Sequence, residues 1–165
     1  MASKKTGQAV TIKSTHDNLV TNGYNPEQPL QVRKTIVESE CGKKYTLEVS
    51  GNKASVSYQV DGNIIKVGEK CDKLILVKHN QNEWAEIFIE LKGVDVAHAI
   101  DQLLATLKKQ IFKHPSNQYI RARIVATSFP SNKSNPIMEK AKKEFASKPY
   151  FCDLRGLKNG QKDKI

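Results

Sequence analysis

Residues 72–92 read DKLILVKHNQNEWAEIFIELK, and this stretch sets the architecture. Two apolar runs, 73–77 (KLILV) and 84–91 (WAEIFIEL), flank the wholly polar segment His79 to Asn82. Short apolar runs bounded by polar turn residues read as buried strands, so the segment predicts an antiparallel hairpin in the core. The period then changes. Val96, Ile100, Leu103, Leu104, Leu107 and Ile111 recur at helical spacing and share one face. Asp95 is a suitable N-cap for that helix, Lys108, Lys109 and Lys113 suit the negative end of its dipole, and Pro115 stops it. Residues 119–127 (YIRARIVAT) return to strand alternation, with Ile120, Ala122, Ile124 and Ala126 opposite Arg121, Arg123 and Val125.

Upstream, 44–49 (KYTLEV) and 54–60 (ASVSYQV) alternate around Ser50-Gly51-Asn52, a turn between strands. Downstream, a second helix is expected over about 136–147. The order is strands, a central hairpin, a helix, a strand and a closing helix. That order predicts an α/β fold with a mixed central sheet flanked by helices and a right-handed βαβ unit. Residues 1–30 are polar, contain Asn22-Gly23, Pro26 and Pro29, and read as an arm with one short helical turn near Thr15 to Val20. Residues 31–157 form the single expected domain, and 158–165 read as a frayed basic tail.

The 165 residues carry 27 Lys plus Arg against 17 Asp plus Glu, a net charge of +10. Such an excess favours a polyanionic partner, of which nucleic acid is the commonest for a basic domain. A membrane surface would call for a basic amphipathic helix with exposed Trp, Phe and Leu, and none is evident. Cys41, Cys71 and Cys152 are scattered, odd in number and without a CxxC pair, as expected of a reduced protein. The start, Met-Ala-Ser-Lys-Lys-Thr, has no apolar segment, so a cytoplasmic location is expected. No Gly-rich phosphate loop, HExxH helix or GxSxG elbow occurs. Cys71-Asp72 could imitate a thiol site, but a cysteine opening an apolar strand is usually packing.

Asp72 stands at the mouth of the first hairpin strand, and Glu90 and Lys92 punctuate the end of the second. A strand has a period of two, so Glu90 and Lys92 share a face while Leu91 points the other way. Two carboxylates and a lysine then converge at one end of the hairpin. Phosphodiester hydrolysis uses this set: hard oxygens for Mg²⁺, and an ammonium to hold the attacking water or offset developing charge. The Leu91 carbonyl, edge-on at the strand end, is a further candidate ligand. The plainer alternatives are a turn aspartate and an exposed ion pair of small value.

Asp72 … Glu90-Leu91-Lys92, with a helix directly after the lysine, resembles the PD-(D/E)xK nuclease superfamily over about residues 55–128. The resemblance implies a restriction-endonuclease-like core, Asp72 and Glu90 as ligands of Mg²⁺ (or Mn²⁺), and Lys92 as the catalytic lysine. Gln102 matches a position where several branches place a supporting glutamine, whereas Thr106 replaces the tyrosine of one exonuclease branch. Cys71 precedes the aspartate in place of proline. Glu40 and Glu48 are the available candidates for the N-terminal glutamate that many members add, though neither lies on a clear helix. The implied activity is DNA cleavage, endonuclease in preference to exonuclease, with RNA as a second substrate. The competing function is a non-catalytic nucleic-acid-binding module on the same fold. Arg121 and Arg123, with Lys108 and Lys109, are candidates for a phosphate-binding channel, and His98 and Gln102 lie on the polar side of the helix. A homodimer is expected, because cutting a duplex at one position needs two such sites. The arm before Val32 and Tyr150-Phe151 are the expected partner surface.

Overall fold

The computed structural model describes residues 11–91, 95–127 and 136–165. The first elements are α1 (Thr15–Thr21), β1 (Gln28–Val32), β2 (Thr35–Glu40), β3 (Lys43–Glu48) and β4 (Ala54–Gln59). The hairpin strands β5 (Lys73–Lys78) and β6 (Trp84–Glu90) follow, then α2 (Val96–Leu107) and a 3-10 turn (Gln110–Phe112). β7 (Asn117–Ala126), α3 (Pro136–Ala146), β8 (Cys152–Lys158) and β9 (Lys162–Lys164) complete the order.

Six strands form a mixed sheet in the order β1-β4-β5-β6-β7-β8. The pairs from β1 to β6 are antiparallel, and β6-β7 and β7-β8 are parallel. β6, α2 and β7 thus make the parallel crossover expected from the switch in periodicity. Asp95 caps α2 through its side chain, which accepts from the His98 N–H at 3.1 Å.

Side-chain alternation divides the core in two. Leu74, Leu76, Phe88, Ala122 and Ile124 face the helices and pack with Ile100, Leu103, Met138 and Phe145. Ile75, Val77, Ile87, Ile89 and Val125 face the other way, against Ile36, Tyr45 and Leu47. That second layer is a three-stranded sheet in the order β2-β3-β9. The central sheet therefore has its flanking helices on one face and a small sheet on the other. A strand covered on both faces is buried throughout, as all seven residues of β6 are.

The two expected termini differ as well. Residues 158–165 are not a frayed tail: they finish β8 and form β9, which pairs in parallel with β3 at Thr46↔Lys162 and Glu48↔Lys164. Within the expected N-terminal arm, Leu19 is fully buried and β1 pairs with β4. The arm is built into the body because Asn18 and Thr15 bond the carbonyls of Ile111 and Phe112.

Candidate active site

β5 and β6 pair with Lys73 opposite Ile89 and Leu74 opposite Phe88. The paired register ends there; Asp72 lies just before β5, and Glu90 is the last residue of β6. Glu90 faces the helices with Phe88, and Asp72 stands beside the same strand end, where its side chain meets the Leu91 N–H. They lie at the end of the hairpin away from its turn, and both are buried, at 1% and 0% exposure.

Backbone groups hold this end of the sheet in place. The Leu91 N–H donates to Asp72 Oδ2 at 2.8 Å, so the aspartate side chain reaches across to the residue after Glu90. The Asp72 N–H donates to the Ile89 carbonyl at 3.1 Å, and the Val60 N–H donates to the Asp72 carbonyl at 2.9 Å. The preceding amide, Cys71 N–H, donates to Thr106 Oγ1 at 2.8 Å, and that hydroxyl donates to the Gln102 carbonyl at 2.8 Å. Thr106 therefore ties α2 to the mouth of β5. A threonine hydroxyl inside a helix commonly bonds the carbonyl four residues back, which was the available signal for its position. Its further contact with Cys71 depends on tertiary packing.

Gln102 is half-buried one turn before Thr106, whose hydroxyl its carbonyl accepts. His98 is exposed. Lys92 lies outside the described residues. Glu48 is half-exposed and paired with Lys162 and Lys164 on the small sheet, and Glu40 ends β2 there, so neither comes from a helix. Among the described residues no group of three or more His, Cys, Asp and Glu side chains is placed to hold a metal. Mg²⁺ takes one or two protein carboxylates and retains waters, so the Asp72 and Glu90 oxygens suit it by number and hardness. Two buried carboxylates this close also favour a positive charge beside them. The Cys71 thiol is no nucleophile here. Burial pushes its pKa up, and the neighbouring Glu90 and Asp72 add to the effect while Thr106 opposes it.

Arg121 and Arg123 do not line a channel with Lys108 and Lys109. The arginines face the small sheet, whereas the lysines end α2 on the opposite side. Arg123 is fully buried: its Nε donates to Asp163 Oδ2 at 2.7 Å and its Nη2 to Asp153 Oδ2 at 3.1 Å. The Tyr45 hydroxyl donates to the same Asp163 oxygen at 2.6 Å. Burial alone would raise the Asp163 pKa, but Tyr45 and Arg123 outweigh it and hold the carboxyl below its ordinary value. Arg121 Nη1 donates to the Lys164 carbonyl at 2.7 Å. Both arginines fasten β9. On that face Lys73 is also buried, donating to Glu27 at 2.8 Å and lying 3.7 Å from Glu38.

One carboxyl on the helix face lay outside the sequence reading. Glu86 is buried four residues before Glu90 on the same side of β6. Burial raises its pKa well above the ordinary 4.5, with the Thr15 hydroxyl opposing the shift. The alternation of WAEIFIE, which places 86, 88 and 90 on one face, was sufficient to find it. Above pH 4.5 the unfolded chain releases this proton while the folded chain retains it, so the group destabilises the fold as pH rises towards its folded pKa. Glu86→Gln is therefore expected to gain in melting temperature over the parent, by more at about pH 7.5 than at about pH 4. Calorimetry at the two pH values checks this, and an equal difference at both would contradict it.

The fold is thus α/β, with a mixed central sheet and three helices among the described residues. No family model matches the chain, no curated protein matches its sequence, and no solved structure matches its fold. Among the described residues no helix is long and apolar enough to cross a membrane.

Proposed function

We propose that the protein is a divalent-metal-dependent nuclease with a restriction-endonuclease-like core that hydrolyses DNA phosphodiester bonds. The observation that carries this reading is the nearness of Asp72 and Glu90 at one buried end of the β5–β6 hairpin, where Asp72 Oδ2 accepts from the Leu91 N–H. The order β4-β5-β6-α2-β7 supports it, since it brings a helix back over the two carboxylates. The net charge of +10 suits a polyanionic substrate.

Asp72 and Glu90 supply the hard oxygens that would hold Mg²⁺ or Mn²⁺, with the Leu91 carbonyl as a third ligand. Bound there, the ion supplies a water of lowered pKa and charge neutralisation at the phosphate. Lys92 orients the attacking water or offsets the charge that develops on the phosphate. Gln102 supports the site from α2. Internal cutting is proposed ahead of end-directed cutting, and DNA ahead of RNA.

Supercoiled plasmid incubated with Mg²⁺ or Mn²⁺, against an EDTA control, tests the function. Nicked or linear product with metal alone is expected. Retention of the plasmid on the protein without cleavage under either condition favours the non-catalytic binding module. A homodimer in the reducing interior of the cell completes the proposal. With the arm before Val32 largely engaged in the core, Phe151, which is 63% exposed next to edge strand β8, is the stronger candidate for the partner surface. Light scattering should give twice the chain mass. A strict monomer with undiminished double-strand cutting would remove the dimer.

A further inference from the structure

The two sheets end in β1, β8, β2 and β9, and three of these edges are blunted. β1 contains Pro29 and an irregular register against β4, and Arg33 Nη2 donates to the Pro29 carbonyl. β2 has its Val37 carbonyl taken by Gln28 Nε2 at 2.7 Å. β9 is only three residues long, and Arg121 holds its Lys164 carbonyl. Short strands, prolines, irregular registers and covering side chains keep an exposed edge from pairing with another strand.

β8 lacks these devices. The Asn159 N–H donates to the Ala126 carbonyl at 2.9 Å, so the odd-numbered residues of β8 turn their backbone groups to β7. Cys152, Leu154, Gly156 and Lys158 turn theirs outward. Gln161 occupies those of Lys158, accepting from its N–H at 3.1 Å and donating to its carbonyl at 2.9 Å. Among the described residues no strand or side chain engages the outward groups of Cys152, Leu154 and Gly156. An open cleft of about 440 Å³ follows this edge, lined by Lys142 and Ala146 of α3 and by residues 151–154.

The exposed side chains of β8 carry a further signal. Asp153 and Arg155 share the face towards the small sheet, with Arg155 Nε 3.2 Å from Asp153 Oδ2. One acid and one base two residues apart are self-complementary when two such strands run antiparallel, as a two-fold axis requires. We propose that β8 pairs with β8 of a second copy of this chain, antiparallel, about a two-fold axis at Leu154. Leu154 then meets the partner's Leu154, and Cys152 meets the partner's Gly156, so outward groups face outward groups. Asp153 comes opposite the partner's Arg155. A centre one residue either way, on Asp153 or Arg155, opposes like charges and sets together residues whose backbone groups face β7. Phe151, exposed directly before β8, falls at the partner's strand end near Leu157. Two six-stranded sheets become one continuous sheet. The pairing specifies the interface of the homodimer proposed above and rests on that dimer, not on the chemistry at Asp72 and Glu90.

Sedimentation over a concentration series, with amide hydrogen exchange read in nitrogen-15 spectra of the full chain, tests the pairing. A reversible monomer–dimer equilibrium is expected. The Leu154 and Gly156 amides should exchange more slowly as concentration rises, whereas the Arg155 amide, bonded to β7, should be protected throughout. Arg155→Asp should raise the dimer dissociation constant at least about tenfold, because both facing charge pairs become repulsive. Asp153→Lys should weaken self-association likewise, and an equimolar mixture of the two variants should associate more tightly than either alone. A monomer at every concentration would remove the dimer and this pairing with it. A dimer in which the Leu154 and Gly156 amides exchange independently of concentration would leave the dimer standing and overturn the β8 pairing. So would a dimer that Arg155→Asp leaves undiminished. The exchange pattern is read on the parent protein and does not depend on the variants folding.

Discussion

Asp72→Asn is expected to yield a folded protein whose metal-dependent DNA cleavage falls by about 10³-fold or more. Asparagine keeps an oxygen for the Leu91 N–H, which Asp72 now accepts at 2.8 Å, so the mouth of β5 retains its anchor. On the proposed reading, what is lost is the negative charge that would hold the ion. Lys92→Ala should do the same to cleavage for a different reason, by removing the ammonium that the proposed chemistry sets beside the phosphate. Plasmid cleavage rates together with melting temperatures decide the matter. A purely structural role for Asp72 predicts a falling melting temperature with activity retained per folded molecule. Undiminished cleavage by either variant would remove that residue from the chemistry.

The largest expected loss of stability is at Arg123. Replacing it with methionine leaves Asp163, 7% exposed, with a charge whose main counter-ion is gone. Breaking a buried ion pair from one side costs about 3–5 kcal/mol. In a chain of this size that corresponds to a melting temperature lower by roughly 10 °C. The β3-β9 pairing should open first, because the Asp163 carboxylate joins β9 to both Tyr45 and Arg123. Calorimetry of Arg123→Met, Asp163→Leu and the double variant separates the terms. The double variant should be less destabilised than the sum of the two, since it leaves no orphaned charge. Simple additivity would place the stabilisation elsewhere.

The same residues mark where sequence reading succeeds and where it stops. β5, β6, α2 and β7 follow from periodicity, because apolar side chains there repeat at two or at three and four residues. With the hairpin placed, Asp72 before its first strand and Glu90 at the end of its second come to the same end of the sheet. β9 could not be found this way: KDK has no apolar residue and is a strand only because it pairs with β3. β8, CDLRGLK, hides its alternation behind Asp153, Arg155 and Gly156. Arg123 shows the underlying difficulty. An arginine on a strand reads as solvent-facing until its partner is known, and Asp163 lies forty residues away in the chain. Lys73 is buried for a similar reason, by Glu27 from the segment before β1. Charges satisfied over long sequence separations leave no local pattern, whereas apolar faces do.

The central claim is that Asp72 and Glu90 share one divalent ion. Crystals grown with Mn²⁺ and a short DNA duplex allow the ion to be located by its anomalous scattering. A single peak within about 2.2 Å of an oxygen from each carboxylate is the expected result. A Mn²⁺ peak at other residues in crystals that cleave their DNA, or the absence of a peak between the two carboxylates, would contradict it.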